Sequence, residues 1–195
     1  AGATTATAND QFFRALMEEA WQPAARTVPA YFDEPAYIDA LAASVEEAYG
    51  NMEQKPDVLV VSYHGMPERY LMQGDPYHCQ CAKTTRLLKE RLGWADTDLV
   101  TTFQSRFGPE EWLKPYTVDH VAELARGGKT NIAVIAPAFS ADCIETLEEI
   151  NEEIRESFEE AGGETFTYIP CLNDQDAHIA ALSKVIEDNL KGWLD

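Results

Sequence analysis

The sequence is poor in basic residues. Of its 195 residues, 15 are lysine or arginine and 34 are aspartate or glutamate, which gives a formal net charge of −19 at pH 7. A domain that binds nucleic acid needs a basic surface, and so does a protein that adheres to an anionic membrane by charge alone. The composition argues against both partners. It fits a cationic ligand such as a metal ion, although an acidic surface that only aids solubility is the more common cause.

Long apolar runs and closely spaced cysteines are also missing. No stretch reaches the roughly 18 apolar residues of a membrane-spanning helix. Residues 1–8 are small and polar and lack the basic region and apolar core of a signal peptide. The 4 cysteines are too few for a secreted disulfide scaffold. These features predict a cytoplasmic protein with free thiols.

Several well-known binding and catalytic motifs are absent. There is no Walker-type loop, no Gly-x-Gly-x-x-Gly fingerprint and no Gly-x-Ser-x-Gly elbow, so phosphate and acyl-transfer chemistry lose support. One residue separates Cys79 from Cys81, whereas zinc and iron–sulfur clips usually have two. With only Cys143 and Cys171 besides, we do not expect an iron–sulfur cluster.

The apolar pattern predicts an α/β fold. Short β-branched runs alternate with helical patterns four times: the runs lie at 58–61, 99–103, 132–136 and 165–169, and the helical patterns at 82–92, 118–126, 143–161 and from 179 onward. This alternation predicts a doubly wound lobe, with a four-stranded parallel sheet and helices on both faces. We expect this lobe to span residues 56–195.

The amino-terminal part has a different pattern. Residues 9–19 and 37–49 have apolar residues at helical spacing. Between them, residues 21–34 contain prolines that indicate a connector or a short edge strand. We therefore expect residues 1–55 to form connecting helices that precede the lobe.

Polar side chains follow the predicted strands at one edge of the sheet. His64 follows the first strand, Arg106 the second, and Asp142 and Glu145 the third. In an open parallel sheet, ligands bind beyond these carboxyl ends. A neutral imidazole there can ligate a metal or accept a proton near neutral pH, whereas its simpler role is to satisfy a loop carbonyl.

A row of carboxylates continues from this edge. Glu145, Glu149 and Glu153 are spaced four apart, so they share one face of a helix. A divalent cation would relieve their mutual repulsion, but the spacing alone fits a solvated helix face better. Asp142 has a simpler role too, as a helix cap. The opposite face is predicted to be buried, and it consists of Ile144, Leu147, Ile150, Ile154 and Phe158.

Several separated segments together resemble the ferrochelatase family. They are Ser-Tyr-His-Gly-Met-Pro at 62–67, Gly-Asp-Pro-Tyr at 74–77, Gln-Ser-Arg-Phe-Gly at 104–108, Trp-Leu at 112–113, Asp-Cys-Ile-Glu-Thr-Leu-Glu-Glu-Ile at 142–150 and Ile-Pro-Cys-Leu-Asn at 169–173. Thr-Thr-Ala-Thr-Ala-Asn-Asp at 4–10 extends the similarity to nearly the whole chain. The Asp-Cys-x-Glu form is similar to the proteobacterial branch, since other branches have histidine at the position of Cys143.

The resemblance implies a fold, an activity and a set of roles. The fold is two similar doubly wound lobes with a porphyrin cleft between them, and the activity is insertion of Fe²⁺ into protoporphyrin IX to form protohaem. Fe²⁺ is then a substrate, and no cofactor is required. The implied site residues are His64 and Glu145 for catalysis and metal binding, Asp142, Glu149 and Glu153 for a proton or metal path, and Tyr77, Trp112 and Phe139 for porphyrin binding. Whether His64 ligates the metal or accepts protons stays open.

Members of this family are usually much longer than this chain. The resemblance therefore implies that the first lobe is a missing partner, and we expect the chain alone to bind porphyrin weakly and to have little insertase activity. It also implies peripheral contact of the enzyme with the inner membrane. Two alternatives remain: a half-chelatase that binds metal or haem without catalysis, and a related chelatase that inserts cobalt or nickel into a tetrapyrrole.

Overall fold

The computed structural model describes residues 6–193. Residues 1–5 and 194–195 lie outside the described residues. Part of the polar amino end at 1–8 and of the family segment at 4–10 therefore lies outside them too. The elements in chain order are α1 (Ala6–Glu18), α2 (Pro35–Gly50), β1 (Val58–His64), α3 (Glu68–Met72), α4 (Tyr77–Leu92), β2 (Leu99–Gln104), α5 (Thr117–Arg126), β3 (Asn131–Ile135), the π-helix π1 (Glu145–Ile154), α6 (Arg155–Glu160), β4 (Thr165–Tyr168) and α7 (Asp176–Leu190).

The four strands form one parallel sheet in the order β2-β1-β3-β4. β1 is central, with His64 in register with Gln104 of β2 and Val61 in register with Ile135 of β3. A strand between two neighbours with both faces covered needs a continuous apolar run, and residues 58–63 of β1 are all buried. The predicted parallel α/β sheet is therefore confirmed.

Two apolar cores cover the two faces of this sheet. Successive side chains of a strand point to opposite faces. Leu59 and Val61 accordingly lie in one core with α2, α4 and α7, whereas Val58 and Val60 lie in the other with α5, π1 and α6. Helices on both faces are the feature that the alternation predicted.

The amino-terminal region divides into two parts. α2 packs against α4 and α7, and it contributes Tyr37, Leu41 and Val45 to the first core. α1 instead leaves large apolar side chains in solvent, including Phe12 and Met17. Residues 22–31 have no regular secondary structure, so the connector is confirmed and the edge strand is wrong. The division into units at residue 55 stays a prediction.

The predicted helix at 143–161 differs most from the structure. It consists of π1 followed by α6. A π-helix bonds residue i to i+5, so its side chains turn less per residue than those of an α-helix. Ile150, Ile154 and Phe158 are buried as predicted, but Ile144 is 66 % exposed and Leu147 is 50 % exposed, so their predicted burial is wrong.

The short helix α3 was not predicted, because its few residues carry no periodic apolar pattern. Among residues 6–193, no helix combines the length and the apolar character that crossing a membrane requires.

Candidate active site

The site lies at the crevice between the carboxyl ends of β1 and β3. After β1 the chain enters α4 on one face of the sheet, and after β3 it enters π1 on the other face. Neighbouring parallel strands whose connections leave in opposite directions open a crevice between them, and ligands bind there in this class of fold. His64 ends β1, and Glu145 begins π1. The topology thus brings these two predicted site residues together.

His64 presents one free ring nitrogen. Its Nδ1 lies 2.7 Å from the carbonyl oxygen of Gly65. A carbonyl only accepts a hydrogen bond, so Nδ1 donates, and Nε2 of the neutral ring keeps a lone pair. Tyr77 holds the main chain behind it, since its hydroxyl donates to the carbonyl oxygen of His64 at 2.9 Å. Half-buried His64 therefore offers Nε2 as a metal ligand or a proton acceptor.

Glu145 begins π1 at this crevice. A hydrogen bond with the Cys143 side chain, together with the backbone N–H of Glu145, lowers the pKa of Glu145 below its ordinary value. Partial burial opposes this shift, and the positive charge of protonated His64 lowers the pKa further. Glu145 is consequently ionised at neutral pH and can attract a cation to this crevice.

Asp142 has its carboxylate fully occupied by hydrogen bonds. Oδ1 accepts from the hydroxyls of Tyr168 at 2.5 Å and Thr146 at 3.2 Å, and from the N–H of Cys171 at 3.2 Å. Oδ2 accepts from Nδ2 of Asn173 at 2.7 Å. Burial raises the pKa of Asp142, but the hydrogen bonds from Asn173, Tyr168 and Cys171 outweigh it and hold the pKa below its ordinary value. This carboxylate joins the start of π1 to the loop after β4.

Glu149 is also engaged, in this case with the loop after β2. Its two carboxylate oxygens accept from the N–H and the hydroxyl of Ser105, each at 2.5 Å. Ser105 has a φ of 62°, which is uncommon for a residue other than glycine. Gln104 donates to Glu149 at 3.2 Å and to the carbonyl oxygen of Glu145 at 2.7 Å, and its Oε1 accepts from Ser62. The loop, β1 and π1 are therefore connected through buried Gln104.

Glu153 differs from the other carboxylates, because its side chain is exposed. It lines an open groove between π1 and the loop after β2, together with Glu149 and Arg106. Arg106, which the sequence placed at the edge of the sheet, stacks over the ring of Tyr116 at 4.4 Å. Two of the three predicted path residues, Glu149 and Glu153, thus line this groove together with Glu145, whereas the third, Asp142, does not line it.

The three aromatic candidates differ in exposure. Phe139 is half-buried, and its ring centroid lies 6.4 Å from that of His64. Tyr77 and Trp112 are 3 % and 5 % exposed. Trp112 packs against Phe107 at a centroid distance of 5.0 Å, and its buried indole N–H has no hydrogen-bond partner among the described residues. Their role in porphyrin binding stays a prediction.

Across residues 6–193, no three histidine, cysteine, aspartate or glutamate side chains converge as a metal centre would require. Sequence reasoning gave no role to several residues whose hydrogen bonds connect the segments around this crevice, namely Gln104, Thr146, Tyr168, Asn173 and His178. Gln104 and Asn173 lie in the segments that carry the family resemblance, but only the structure gives their hydrogen bonds.

Comparison with known proteins identifies the family. A ferrochelatase family model matches residues 1–190. The chain belongs to the ferrochelatase family. The ferrochelatase of Rhodobacter capsulatus is 71 % identical over 195 residues, and those of Allorhizobium ampelinum and Rhizobium etli are each 56 % identical over 194 residues. These relatives are proteobacterial, as the Asp-Cys-x-Glu form predicted.

The chain spans 56 % of the length of these ferrochelatases. Two solved structures share its fold. CbiX, the terminal enzyme for biosynthesis of siroheme in denitrifying bacteria, has a TM-score of 0.60 and 15 % identity, over 96 % of this chain and 71 % of that chain. SirB from Bacillus subtilis with Fe³⁺ has a TM-score of 0.53 and 12 % identity, over 80 % of this chain and 57 % of that chain. The chain thus has a chelatase-type fold.

Proposed function

We propose that this chain is the carboxyl-terminal portion of a ferrochelatase that inserts Fe²⁺ into protoporphyrin IX, the last step of haem formation. The observation that supports the proposal is that His64 ends β1 and ionised Glu145 begins π1 at the same crevice of the sheet. Resident zinc sites have four ligands, and calcium sites have more. His64 and Glu145 fall short of such a set, in keeping with iron as a substrate that passes to the four nitrogens of a porphyrin.

The reaction needs an acceptor for protons as well as a place for iron. Two porphyrin N–H bonds break, iron–nitrogen bonds form, and two protons leave. Iron keeps its oxidation state, so no redox cofactor is needed. Nε2 of His64 has the lone pair for a proton, and Glu145 has the charge to stabilise the imidazolium that results. We favour proton acceptance by His64, with Glu145 attracting the cation.

Porphyrin has to bend before iron can enter, because its inner hydrogens lie in the ring plane. Contacts with the periphery of the macrocycle can supply the energy for this strain. We propose that Phe139, half-buried beside His64, contacts the bound ring, and that Tyr77 and Trp112 support the wall of the pocket from behind.

Protons and iron need a route between this crevice and solvent. We propose that the groove along π1 provides it, with Glu153 at the solvent end and Glu149 next to Glu145. Asp142 is proposed to support the route by fixing the start of π1, because it does not line the groove and its oxygens accept hydrogen bonds from Tyr168 and Asn173.

The remainder of a full-length ferrochelatase is the proposed partner, since the chain covers 56 % of its relatives. We propose that this remainder forms the opposite wall of a porphyrin cleft. We also propose a cytoplasmic location with peripheral contact to the inner membrane, and no binding of nucleic acid, in keeping with the net charge of −19.

A half-chelatase that binds porphyrin or metal without converting them is the second candidate, and the partial coverage of the relatives favours it. A cobalt or nickel chelatase is the third, because the fold is shared with CbiX and SirB. Anaerobic assays with Fe²⁺, Co²⁺ and Ni²⁺ distinguish the three candidates. A change in porphyrin absorbance reports metal insertion, and the metal that produces it identifies the chelatase. Quenched porphyrin fluorescence without that change reports binding alone.

Variants of the site residues test the proposed chemistry in a full-length enzyme that contains this chain. Loss of an acid–base group costs about 10²–10⁴-fold in rate, so we expect His64→Ala and Glu145→Gln to lower kcat by that order. His120→Ala serves as the control, because His120 lies on α5 beside Glu123. Equal activity of the His64→Ala variant and the control would exclude the proposed role of His64.

A further inference from the structure

His178 is a buried histidine that the proposed reaction does not use. It lies on α7 with 1 % of its surface exposed. Its Nδ1 is 2.7 Å from the carbonyl oxygen of Asn173. Because that oxygen can only accept, the Nδ1 atom of His178 donates. The other ring nitrogen, Nε2, is buried without a hydrogen-bond partner in the described part of the chain. The one bond to Asn173 therefore sets the orientation and the tautomer of the ring.

The residue that His178 holds has an unusual backbone. Asn173 has a φ of 47°, in the left-handed region, which asparagine enters more readily than other residues with a side chain but still at a cost. Such a conformation persists where its surroundings fix it. Here two hydrogen bonds do so, one from His178 to the carbonyl oxygen of Asn173 and one from the N–H of Asn173 to the carbonyl oxygen of Ser140 at 3.0 Å.

Asn173 in turn holds Asp142 with both ends of its side-chain amide. Its Oδ1 accepts from the N–H of Asp142 at 2.8 Å, and its Nδ2 donates to Oδ2 of Asp142 at 2.7 Å. Both bonds require the side chain of Asn173 to leave the main chain in one direction, which its backbone conformation sets. Thr146 extends the connection into the first turn of π1, since its hydroxyl donates to Oδ1 of Asp142.

We propose that His178 is a positioning residue for Glu145. Through Asn173 and Asp142 it fixes the start of π1, and the start of π1 sets where the Glu145 carboxylate lies relative to His64. The effect on catalysis rests on the proposed function, whereas the hydrogen-bonded connection is a property of the chain itself and can be measured without any activity.

Amide hydrogen exchange of the 195-residue chain tests the connection directly. In the His178→Phe variant a ring remains but the Nδ1–H donor is lost. In the His178→Asn variant the side-chain amide can donate in place of Nδ1–H. Loss of one hydrogen bond changes a local equilibrium by about ten-fold. We expect His178→Phe to speed exchange of the Asp142 and Cys143 amides by about that factor while β3 amides stay unchanged, and His178→Asn to restore the slow rate. His120→Asn is the matched control.

Unchanged exchange at Asp142 in a folded His178→Phe variant would overturn the proposal. If that variant does not fold, Asn173→Gly is the alternative, because it removes the side-chain amide that bonds Asp142 and glycine accepts the positive φ. It should produce the same faster exchange at the Asp142 amide. A wild-type rate would again overturn the proposal. Nitrogen NMR of the wild-type imidazole adds a test without substitution, because a ring protonated on Nε2 alone cannot donate from Nδ1.

The consequence for catalysis is measured in the full-length enzyme. A displaced Glu145 affects the chemical step more than porphyrin binding, so His178→Phe should lower kcat about ten-fold with little change in the KM for porphyrin, and His178→Asn should recover most of it. A rise in KM alone would contradict positioning of Glu145. If the wild-type enzyme inserts no metal, the proposed function fails, and the exchange rates still decide the role of His178.

Discussion

The side chain of Asp142 accepts hydrogen bonds from the hydroxyl of Thr146 in the first turn of π1 and from three groups in or near the loop after β4. Asp142 is not the helix cap that its place in the sequence suggested, since the start of π1 has no side-chain cap hydrogen bond. Its place in the family motif suggested a role in the site. Asp142 therefore acts as a junction between segments, and the sequence could not reveal this because its partners lie about thirty residues away along the chain.

Replacing Asp142 with asparagine should destabilise the chain at neutral pH. The pKa of Asp142 lies below its ordinary value of 3.8, so the charged form stabilises the fold above that pH, and the stabilisation is lost as pH falls from there through the folded-state pKa. We expect the substitution to lower the free energy of unfolding by about 1 kcal/mol near pH 7, a value that allows for the partial exposure of Asp142 to solvent. The difference from wild type should shrink in acid.

Urea unfolding over a pH series measures this difference. The matched control is Asp174→Asn, which removes an exposed carboxylate of the same loop. The stability difference between wild type and Asp142→Asn could instead stay constant as the pH falls below the ordinary pKa. That result would show that the charge of Asp142 is unimportant.

Gly65 lies where the chain leaves β1, and no larger residue fits there. A Cβ atom at this position would lie 2.7 Å from the carbonyl oxygen of Gln104 and 3.1 Å from the ring of Trp112. We expect Gly65→Ala to cost about 1–3 kcal/mol, because the backbone next to His64 must shift. Gly50→Ala is the control, since nothing lies within 4 Å of its added Cβ. Equal urea midpoints for the two variants would refute the steric account.

Among the elements, the strands followed from sequence more closely than π1. β1 and β3 are buried on both faces, so their apolar runs marked them clearly. π1 has the composition of an ordinary amphipathic helix, so no local pattern distinguished it from an α-helix. The placement of Ile144 and Leu147 was therefore wrong, whereas the juxtaposition of His64 with Glu145 followed from the order of strands and helices.

The row of glutamates on π1 combines different roles within one element. Glu149 accepts hydrogen bonds from Ser105 and Gln104, whereas Glu153 is exposed. Hydrogen bonds to a charged group contribute about 1.5–3 kcal/mol, and exposed surface changes stay within about 0.5 kcal/mol. We expect Glu149→Gln to lower the free energy of unfolding by about 1–3 kcal/mol and Glu153→Gln to leave it nearly unchanged.

Chemical denaturation of the two variants measures this difference, and each is the control for the other. Hydrogen exchange at the Ser105 amide, which donates to Glu149, adds a local readout. Equal stability of both variants would mean that Glu149 does not hold the loop after β2.

At the scale of the whole molecule, α1 and the segment after it expose apolar surface. Phe12 is 54 % exposed, Met17 78 % and Trp21 75 %. Exposed apolar patches usually mark surfaces that contact another protein or domain. We expect the isolated chain to self-associate through this surface, and the double variant Phe12→Ser/Met17→Ser to do so less. A monodisperse monomer of the unmodified chain by light scattering would contradict this expectation.

The family and the lobe followed from the sequence because several motifs lie at strand ends that the fold gathers at one edge. The chain spans 56 % of the length of its relatives, so the proposed porphyrin cleft depends on residues outside it. His64 and Glu145 supply one side of the proposed site, and the porphyrin needs a second wall.

Anaerobic insertion of Fe²⁺ into protoporphyrin, followed by absorbance, tests the central claim most directly. The chain is assayed alone and with the remaining segment of a related ferrochelatase added. The Glu145→Gln variant of the chain is assayed with the same segment. We predict little turnover by the chain alone, clear turnover when the segment is added, and loss of that turnover in the variant. Rapid turnover by the chain alone, or none with the segment while porphyrin still binds, would contradict a ferrochelatase site shared between two lobes.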